Sequence, residues 1–131
     1  MPGREFTVGI LEGHALPVVE ICPVGGAYDY YHKYTPGVTE ELCPAPLTAA
    51  QSEALQAMAC VAFAALDLRD FARIDFREDA KGQPCFLEAN VTPGMTATSL
   101  LPLAAHAEGI EFPVLCERMA LLAARRKVVD T

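Results

Sequence analysis

The chain has 131 residues, of which 52% are hydrophobic and 21% are charged, a balance typical of a globular domain and not of a disordered chain. Its formal net charge of -7 argues against a protein that binds the nucleic-acid backbone, because such proteins present basic surfaces. The 5 cysteines are odd in number and lack CxxC spacing, which favours buried free thiols over disulfides or a zinc site.

Alternating and β-branched residues at the start of the chain predict a β-hairpin. Its strands are expected over residues 5–11 and 16–22, with the turn at EGHA. A tyrosine-rich loop, GGAYDYYHKYTPG, follows, and ELCPAPLT is expected to be an extended, proline-rich connection.

The stretch TAAQSEALQAMACVAFAAL predicts the clearest helix. Thr48 and Gln51 have the spacing of a capping box, in which the hydroxyl and the amide satisfy backbone N–H groups at the start of a helix. Apolar residues then recur at the helical period, and the residues expected to face the core are Leu55, Met58, Ala59, Ala62, Phe63 and Leu66.

The second half of the chain predicts another strand pair and two helices. The strands, over residues 71–76 and 85–90, are joined by the polar turn REDAKGQP. After the loop VTPGMTAT, a helix over about 99–108 is closed by Gly109, and a last helix covers about 113–127. Its inward residues are expected to be Val114 or Leu115, Met119 and Leu122. The predicted fold class is α+β, an antiparallel sheet with helices packed on it.

Two carboxylates stand in the middle of the second strand pair, where apolar residues are easier to bury. Side chains alternate along a strand, so Arg73 and Asp75 share one face of the first strand. By the same rule Phe86, Glu88 and Asn90 share one face of the second. The hairpin therefore groups the four polar side chains on an open face, provided that its register makes them neighbours.

Such a group has two interpretations. Facing carboxylates repel each other unless a cation lies between them, and Asp, Glu and Asn oxygens are ligands that Mg²⁺ prefers, usually together with phosphate and water. The group then predicts metal-assisted phosphate chemistry. The alternative is a solvated charged face, on which Asp75 and Glu88 merely pair with Arg73.

The loop NVTPGMTATSL, directly after this strand pair, favours a ligand site. Gly94 permits a close approach of the backbone to a ligand. Ser99 and the amides that follow it at a helix N-terminus suit a carboxylate or a phosphate. The alternative for Ser99 is an ordinary helix cap.

The segments EFTVGIL, YDYYHKYTPG, CPAPL, RIDF and FLEANVTPGMTATSLLPLAAHAEGI follow one another in an order and spacing that resembles the C-terminal part of D-alanine–D-alanine ligases. The resemblance runs nearly end to end. It implies that residues 1–131 form the C-terminal lobe of an ATP-grasp fold, without the family's N-terminal and central domains. It also implies an ATP-dependent, ADP-forming ligase that joins two D-alanines through an acyl phosphate for peptidoglycan of the cell wall, and so for cell shape.

The same resemblance implies roles for the residues of the strand pair and its loop. Asp75, Glu88 and Asn90 are expected to hold two Mg²⁺ or Mn²⁺ ions, with Glu88 and Asn90 also contributing to ATP binding. Arg73 is expected to contact the transferred phosphate and the oxyanion. The backbone N–H of Gly94 is expected to complete the oxyanion site.

Further roles follow for residues outside the strand pair. The resemblance implies that Ser99 and the Leu100 amide hold the carboxylate of the second substrate. Glu5 is expected to bind the ribose, Lys33 a phosphate of ATP, and Tyr34 to order the loop over the site. The alternative for Glu5 is a charge on an edge strand. Relatives that make an ester are expected to carry His at the position of Tyr34, so this sequence favours amide formation.

The expected cofactors are ATP and Mg²⁺ or Mn²⁺, the substrate is D-alanine, and the complete enzyme is expected to be a homodimer. Neither nucleic acid nor membrane is expected as a partner, and a cytoplasmic location is expected because no secretory or membrane-spanning pattern is found. The isolated chain is expected to be inactive. Two alternatives remain open: a ligase of another amino or hydroxy acid, and a non-catalytic remnant that binds nucleotide or metal.

Overall fold

The computed structural model describes residues 3–23 and 39–129, which form an antiparallel sheet and three helices. The strands are β1 (Glu5–Leu11), β2 (His14–Ala15), β3 (Val19–Pro23), β4 (Thr39–Leu42), β5 (Phe71–Glu78) and β6 (Pro84–Asn90). The helices are α1 (Ala49–Ala65), α2 (Leu100–Ala107) and α3 (Phe112–Val129). The predicted α+β class is confirmed.

Strand β1 lies at the centre of the sheet, whose order is β4-β3-β1-β5-β6 with β2 paired to the end of β1. All seven residues of β1 are buried, because helices and neighbouring strands enclose it. A central strand buried on both faces normally carries apolar residues on both faces. The polar residues that β1 does carry, Glu5 and Thr7, therefore call for an explanation.

The first hairpin is tighter than its sequence predicts. Glu12 and Gly13 both have positive φ (52° and 78°), as in the two-residue turns that match the twist of paired strands. The return strand is interrupted, because β2 pairs Ala15 with Ile10, and β3 begins only at Val19. The expected strand over 16–22 is therefore wrong in its first three residues, where Pro17 has no N–H to contribute to a ladder.

The extended connection ELCPAPLT begins inside the sheet. Residues Thr39–Leu42 form β4, which pairs with β3 and places Leu42 opposite Glu20. This strand was not predicted, because its residues, TEEL, have neither an apolar alternation nor β-branched enrichment. The chain leaves the sheet at the cis peptide bond between Cys43 and Pro44.

Helix α1 begins with the predicted capping box. The Gln51 N–H donates to Thr48 Oγ1 at 3.1 Å, and the Thr48 N–H donates to Gln51 Oε1 at 2.9 Å. The set of residues predicted to face the core is only partly correct. The helix is apolar on nearly all sides, so the spacing of its apolar residues does not define one buried face. The fully buried members are Leu55 and Ala59. The exposed members are Met58 and Leu66.

The core has two layers, one on each face of the sheet. On one face α1 covers the alternate residues of β1 and β5: Phe6, Val8, Ile10, Ala72, Ile74 and Phe76. On the other face α2 and α3 cover Leu11, Leu16 and Val19. The inward residues of α3 are Leu115 and Leu122, with Met119 partly buried, whereas Val114 is exposed. None of the helices in the described part of the chain is long and apolar enough to cross a membrane.

Helix α2 covers only one end of its face of the sheet. Gly9 lets it approach closely, since a Cβ at this position would lie 2.5 Å from Leu101 Cδ1. Towards the other end of β1, the same face carries Thr7 and Glu5, with Asp75 and Arg77 as their partners on β5. The fold therefore leaves a polar area on the sheet beside the N-terminus of α2.

Candidate active site

The register of β5 and β6 brings the four predicted polar residues together. Asp75 lies directly opposite Glu88, and Arg73 lies directly opposite Asn90. On β5 the alternate residues, such as Ile74, are buried in the layer under α1. The side chains of Arg73 and Asp75 consequently belong to the other face, as the alternation predicts.

A β-bulge interrupts this strand pair next to the site. Phe76 pairs with Phe86, although the preceding residue, Asp75, pairs with Glu88, so Leu87 is the extra residue. The expectation that Phe86 shares a face with Glu88 and Asn90 is wrong. The Phe86 ring packs edge-on against Phe76, with centroids 6.4 Å apart, because the extra residue resets the alternation of side chains.

Asp75 is held by three hydrogen-bond donors in a buried position. Its side chain is 3% exposed. Arg73 binds it with a fork, in which Nε donates to Oδ1 at 3.0 Å and Nη2 donates to Oδ2 at 3.1 Å. Thr7, which lies opposite Asp75 on β1, donates from Oγ1 to Oδ1 at 2.7 Å. Thr7 was not predicted as a site residue, because its only signal in the sequence is a hydroxyl in an otherwise apolar run.

Glu88 is in the opposite situation. It is exposed, and within residues 3–23 and 39–129 its carboxylate has neither a hydrogen-bond donor nor a cation as partner. The alternative of a charged face on which both carboxylates pair with Arg73 therefore holds for Asp75 and fails for Glu88. A second carboxylate directly opposite the first, with no cation beside it among the described residues, is a position that attracts a positive ion.

Asn90 is fixed by a local turn. Its Oδ1 accepts a hydrogen bond from the N–H of Thr92 at 2.9 Å, which orients the side-chain amide. An amide oxygen has two lone pairs and remains able to accept a second partner. Asn90 and Glu88 thus present oxygen ligands on the strand next to Asp75.

Glu5 is also fixed by a cation. Its side chain is 6% exposed, and Oε1 accepts from Arg77 Nη2 at 3.1 Å, across a directly paired position. The alternative of an edge-strand charge is wrong, because β1 is central in the sheet. Arg77 was not singled out, although Arg73, Asp75 and Arg77 alternate along β5 and so share one face.

The loop after β6 folds back onto the start of α2. Ser99 occupies the N-cap position, but its hydroxyl makes no capping bond to the helix. Instead it accepts from the Thr96 N–H at 3.1 Å and shares a hydrogen bond of 2.7 Å with Thr96 Oγ1. A Cβ at Gly94 would lie 3.0 Å from Ser99 Oγ, so a side chain at this position would press against the hydroxyl.

The first amides of α2 have no side-chain cap as acceptor. The first amides of a helix have no acceptor within the helix, and Pro102 has no N–H, so the relevant donors are Leu100 and Leu101. The alternative that Ser99 is an ordinary helix cap is half correct. Its backbone occupies the N-cap position, but its hydroxyl does not cap the helix. Lys33 and Tyr34 lie outside the described residues.

The five cysteines are free thiols, as expected, but Cys85 is exposed and the others are only partly buried. Burial raises the pKa of the Cys43 thiol. Burial, followed by the Glu20 carboxylate, raises the pKa of the Cys22 thiol. A raised pKa keeps these two thiols protonated at neutral pH, the opposite of what a nucleophile requires.

Comparison with known proteins identifies the family. The protein family described as D-ala D-ala ligase C-terminus matches residues 1–121. The chain belongs to this family. It is 52% identical over 117 residues to a D-alanine–D-alanine ligase of Methylacidiphilum infernorum, a match that spans 89% of this chain and 39% of that protein. It is 50% identical over 125 residues to the D-alanine–D-alanine ligase of Syntrophotalea carbinolica, with 95% and 41% covered.

A solved structure shows the same fold in the D-alanine–D-alanine ligase family. The Bacillus anthracis D-alanine–D-alanine ligase complexed with ATP matches all of this chain and 41% of its own, with a TM-score of 0.80 and 28% identity. The described sheet and helices therefore have the ATP-grasp fold of this ligase family. The chain spans about two fifths of the length of the relatives that it matches.

The polar side chains on β5 and β6 offer fewer oxygen ligands than a metal centre built from protein alone. No group of three or more His, Cys, Asp or Glu side chains that could hold a metal is present in the part of the chain that the structure describes. The site instead offers Asp75, Glu88 and an amide, Asn90. Mg²⁺ typically binds one or two carboxylates and takes its other ligands from water and phosphates.

Proposed function

We propose that this chain is the ATP- and metal-binding lobe of a D-alanine–D-alanine ligase. In that reaction ATP phosphorylates the carboxylate of one D-alanine, and the amine of a second D-alanine attacks the resulting acyl phosphate and displaces phosphate. The observation that carries the proposal is the direct pairing of buried Asp75 with exposed Glu88 on neighbouring strands, in a chain of this family.

The donor set fits a hard divalent ion bound together with a nucleotide. Asp75 is already neutralised by Arg73, whereas Glu88 has no cation among the described residues. Asp75, Glu88 and Asn90 would hold Mg²⁺ or Mn²⁺ through oxygen atoms. When bound, the ion supplies positive charge to the phosphate oxygens of ATP.

Arg73 stabilises the charge that develops during phosphoryl transfer. Its guanidinium is kept in one orientation by the two hydrogen bonds to Asp75, so little reorganisation is needed when negative charge develops nearby. The Gly94 N–H acts on the oxyanion formed when the amine attacks. These roles are consistent with the position of Gly94 beside Ser99.

Ser99 and the N-terminus of α2 hold the carboxylate of the second D-alanine. The hydroxyl is oriented by Thr96 and not by the helix, and the Leu100 amide adds a donor at the positive end of the helix dipole. At the nucleotide end, Glu5 accepts hydrogen bonds from the ribose hydroxyls, with Arg77 fixing its carboxylate. Lys33 binds a phosphate, and Tyr34 orders the loop over the site.

Several further properties belong to this proposal. The product is used for peptidoglycan, and the complete enzyme is a homodimer in the cytoplasm. The free thiols fit a reducing compartment. Because the chain spans about two fifths of its relatives, we expect the first-substrate contacts and half of the ATP site to lie in other domains.

The proposal predicts that the 131-residue chain alone is inactive and that it works within a ligase. The test is ADP release with ATP, Mg²⁺ and D-alanine, measured for the chain and for a chimera in which it replaces the matching segment of the Methylacidiphilum infernorum ligase, to which it is 52% identical. We expect turnover by the chimera and none by the chain.

The same assay separates the alternatives. D-serine and D-lactate in place of the second D-alanine test other substrates, and we expect the amide product to dominate. A folded chimera without turnover on any of these substrates would favour a non-catalytic remnant. Turnover by the isolated chain would contradict the assignment of the first-substrate site to other domains.

A further inference from the structure

Thr7 places a buried hydroxyl in the central strand of the sheet. Thr7 is 1% exposed. The residues before and after it on β1, Phe6 and Val8, lie on the opposite face of the sheet and belong to the apolar core. Valine has nearly the same shape and would bury the position without a polar group. The hydroxyl therefore needs a reason beyond packing.

The hydroxyl has two acceptors within reach. Asp75 Oδ1 lies at 2.7 Å and the carbonyl oxygen of Ile74 at 3.3 Å. A hydroxyl carries a single proton, and the shorter distance to an ionised oxygen marks the stronger bond. Thr7 is thus chiefly a donor to Asp75.

Counting lone pairs distinguishes the two oxygens of Asp75. Each carboxylate oxygen has room for about two hydrogen-bond donors. Oδ1 accepts from both Thr7 Oγ1 and Arg73 Nε, whereas Oδ2 accepts only from Arg73 Nη2 within the part of the chain that the structure describes. Oδ1 is therefore fully used inside the protein, and Oδ2 retains the capacity for one more partner.

We infer that Thr7 is a positioning residue that anchors Asp75 through Oδ1 and so reserves Oδ2 for the metal ion. The inference rests on the proposed function, since it assumes that Asp75 is a metal ligand. Two donors from one guanidinium leave the carboxylate free to move together with Arg73. The third donor, from a central strand, ties the carboxylate to the sheet independently of Arg73.

A purely structural role is the competing explanation, in which Thr7 only satisfies a buried carboxylate. Both explanations predict that losing the hydroxyl destabilises the fold, but only positioning predicts a change in metal binding by a chain that remains folded. Mutating a residue that hydrogen-bonds to a metal ligand typically lowers the metal affinity by about 10–100-fold.

The test compares variants of the full chain by titration with Mn²⁺, following the electron paramagnetic resonance of the free ion. Thr7→Val removes the donor and keeps the shape, Thr7→Ser keeps the donor, and Thr7→Cys serves as a weak donor if the valine variant does not fold. Glu88→Gln tests the metal site itself. Circular dichroism and thermal midpoints establish which variants are folded.

We expect Thr7→Val, or Thr7→Cys in its place, to raise the Mn²⁺ dissociation constant about 10-fold or more, with Thr7→Ser within about threefold of the unsubstituted chain. Weak binding by Glu88→Gln together with unchanged binding by the folded valine or cysteine variant would overturn the role of Thr7 and leave the proposed function intact. Equal binding by Glu88→Gln and the unsubstituted chain would contradict the metal site, and the inference with it.

Discussion

Replacing Arg73 with methionine is expected to lower the free energy of unfolding by about 3–5 kcal/mol. Asp75 and Arg73 are both largely buried, with side-chain exposures of 3% and 12%. Removing the guanidinium leaves a carboxylate in the sheet with one remaining donor among the described residues, Thr7. Breaking a buried ion pair from one side is more unfavourable than removing both charges, because the remaining charge stays desolvated.

Urea unfolding of three variants measures this effect. The double variant Arg73→Met/Asp75→Asn is expected to be more stable than Arg73→Met alone, since it removes the uncompensated charge. Arg125→Met, at an exposed position of α3, is the matched control and is expected to change stability by less than about 0.5 kcal/mol. A loss from Arg73→Met no larger than that of the control would show that the pair does not stabilise the sheet.

Replacing Glu88 with glutamine is expected to reduce ADP release by the chimera by about 100- to 10,000-fold, with little change in stability. A bound metal ion stabilises transition-state charge by several kcal/mol, and each 1.36 kcal/mol corresponds to a factor of ten in rate. The fold loses little, because the Glu88 side chain is exposed and forms no ion pair with the described residues.

The matched control for this loss is Glu117→Gln, which removes one exposed carboxylate from α3. The control is expected to leave the rate of ADP release within about twofold and the thermal midpoint nearly unchanged. A Glu88→Gln chimera whose rate stays within a few fold of the unsubstituted one would mean that Glu88 does not bind the catalytic metal. Comparing the two variants therefore distinguishes the loss of a metal ligand from a general effect of removing a surface charge.

The candidate site could be predicted from the sequence more accurately than the strands that make up the sheet. Alternation alone placed Arg73 and Asp75 on one face, and the register added Glu88 and Asn90 opposite them. Alternation fails where a bulge inserts a residue, and for that reason Phe86 was assigned to the wrong face. A bulge depends on how two strands pair, which no local pattern on either strand reveals.

The residues that the sequence analysis missed share a physical cause. Thr7 contacts Asp75, and Arg77 contacts Glu5, from the neighbouring strand of the sheet. The two residues of each pair are 68 and 72 residues apart in the sequence. Such pairs depend on which strands are neighbours in the sheet and in which register, and a local sequence pattern does not reveal this. The orientation of the Ser99 hydroxyl is a similar case, because it depends on the folded position of Thr96.

The most direct measurement is a crystal structure of the chain with Mn²⁺ and ADP, recorded so that the anomalous scattering of manganese marks its position. We predict a manganese peak between the β5 and β6 side chains, bound to Asp75 Oδ2 and to Glu88, with Thr7 still donating to Oδ1. A manganese ion bound to ADP elsewhere on the chain, with no peak between these two carboxylates, would contradict the metal site on which the proposed function depends.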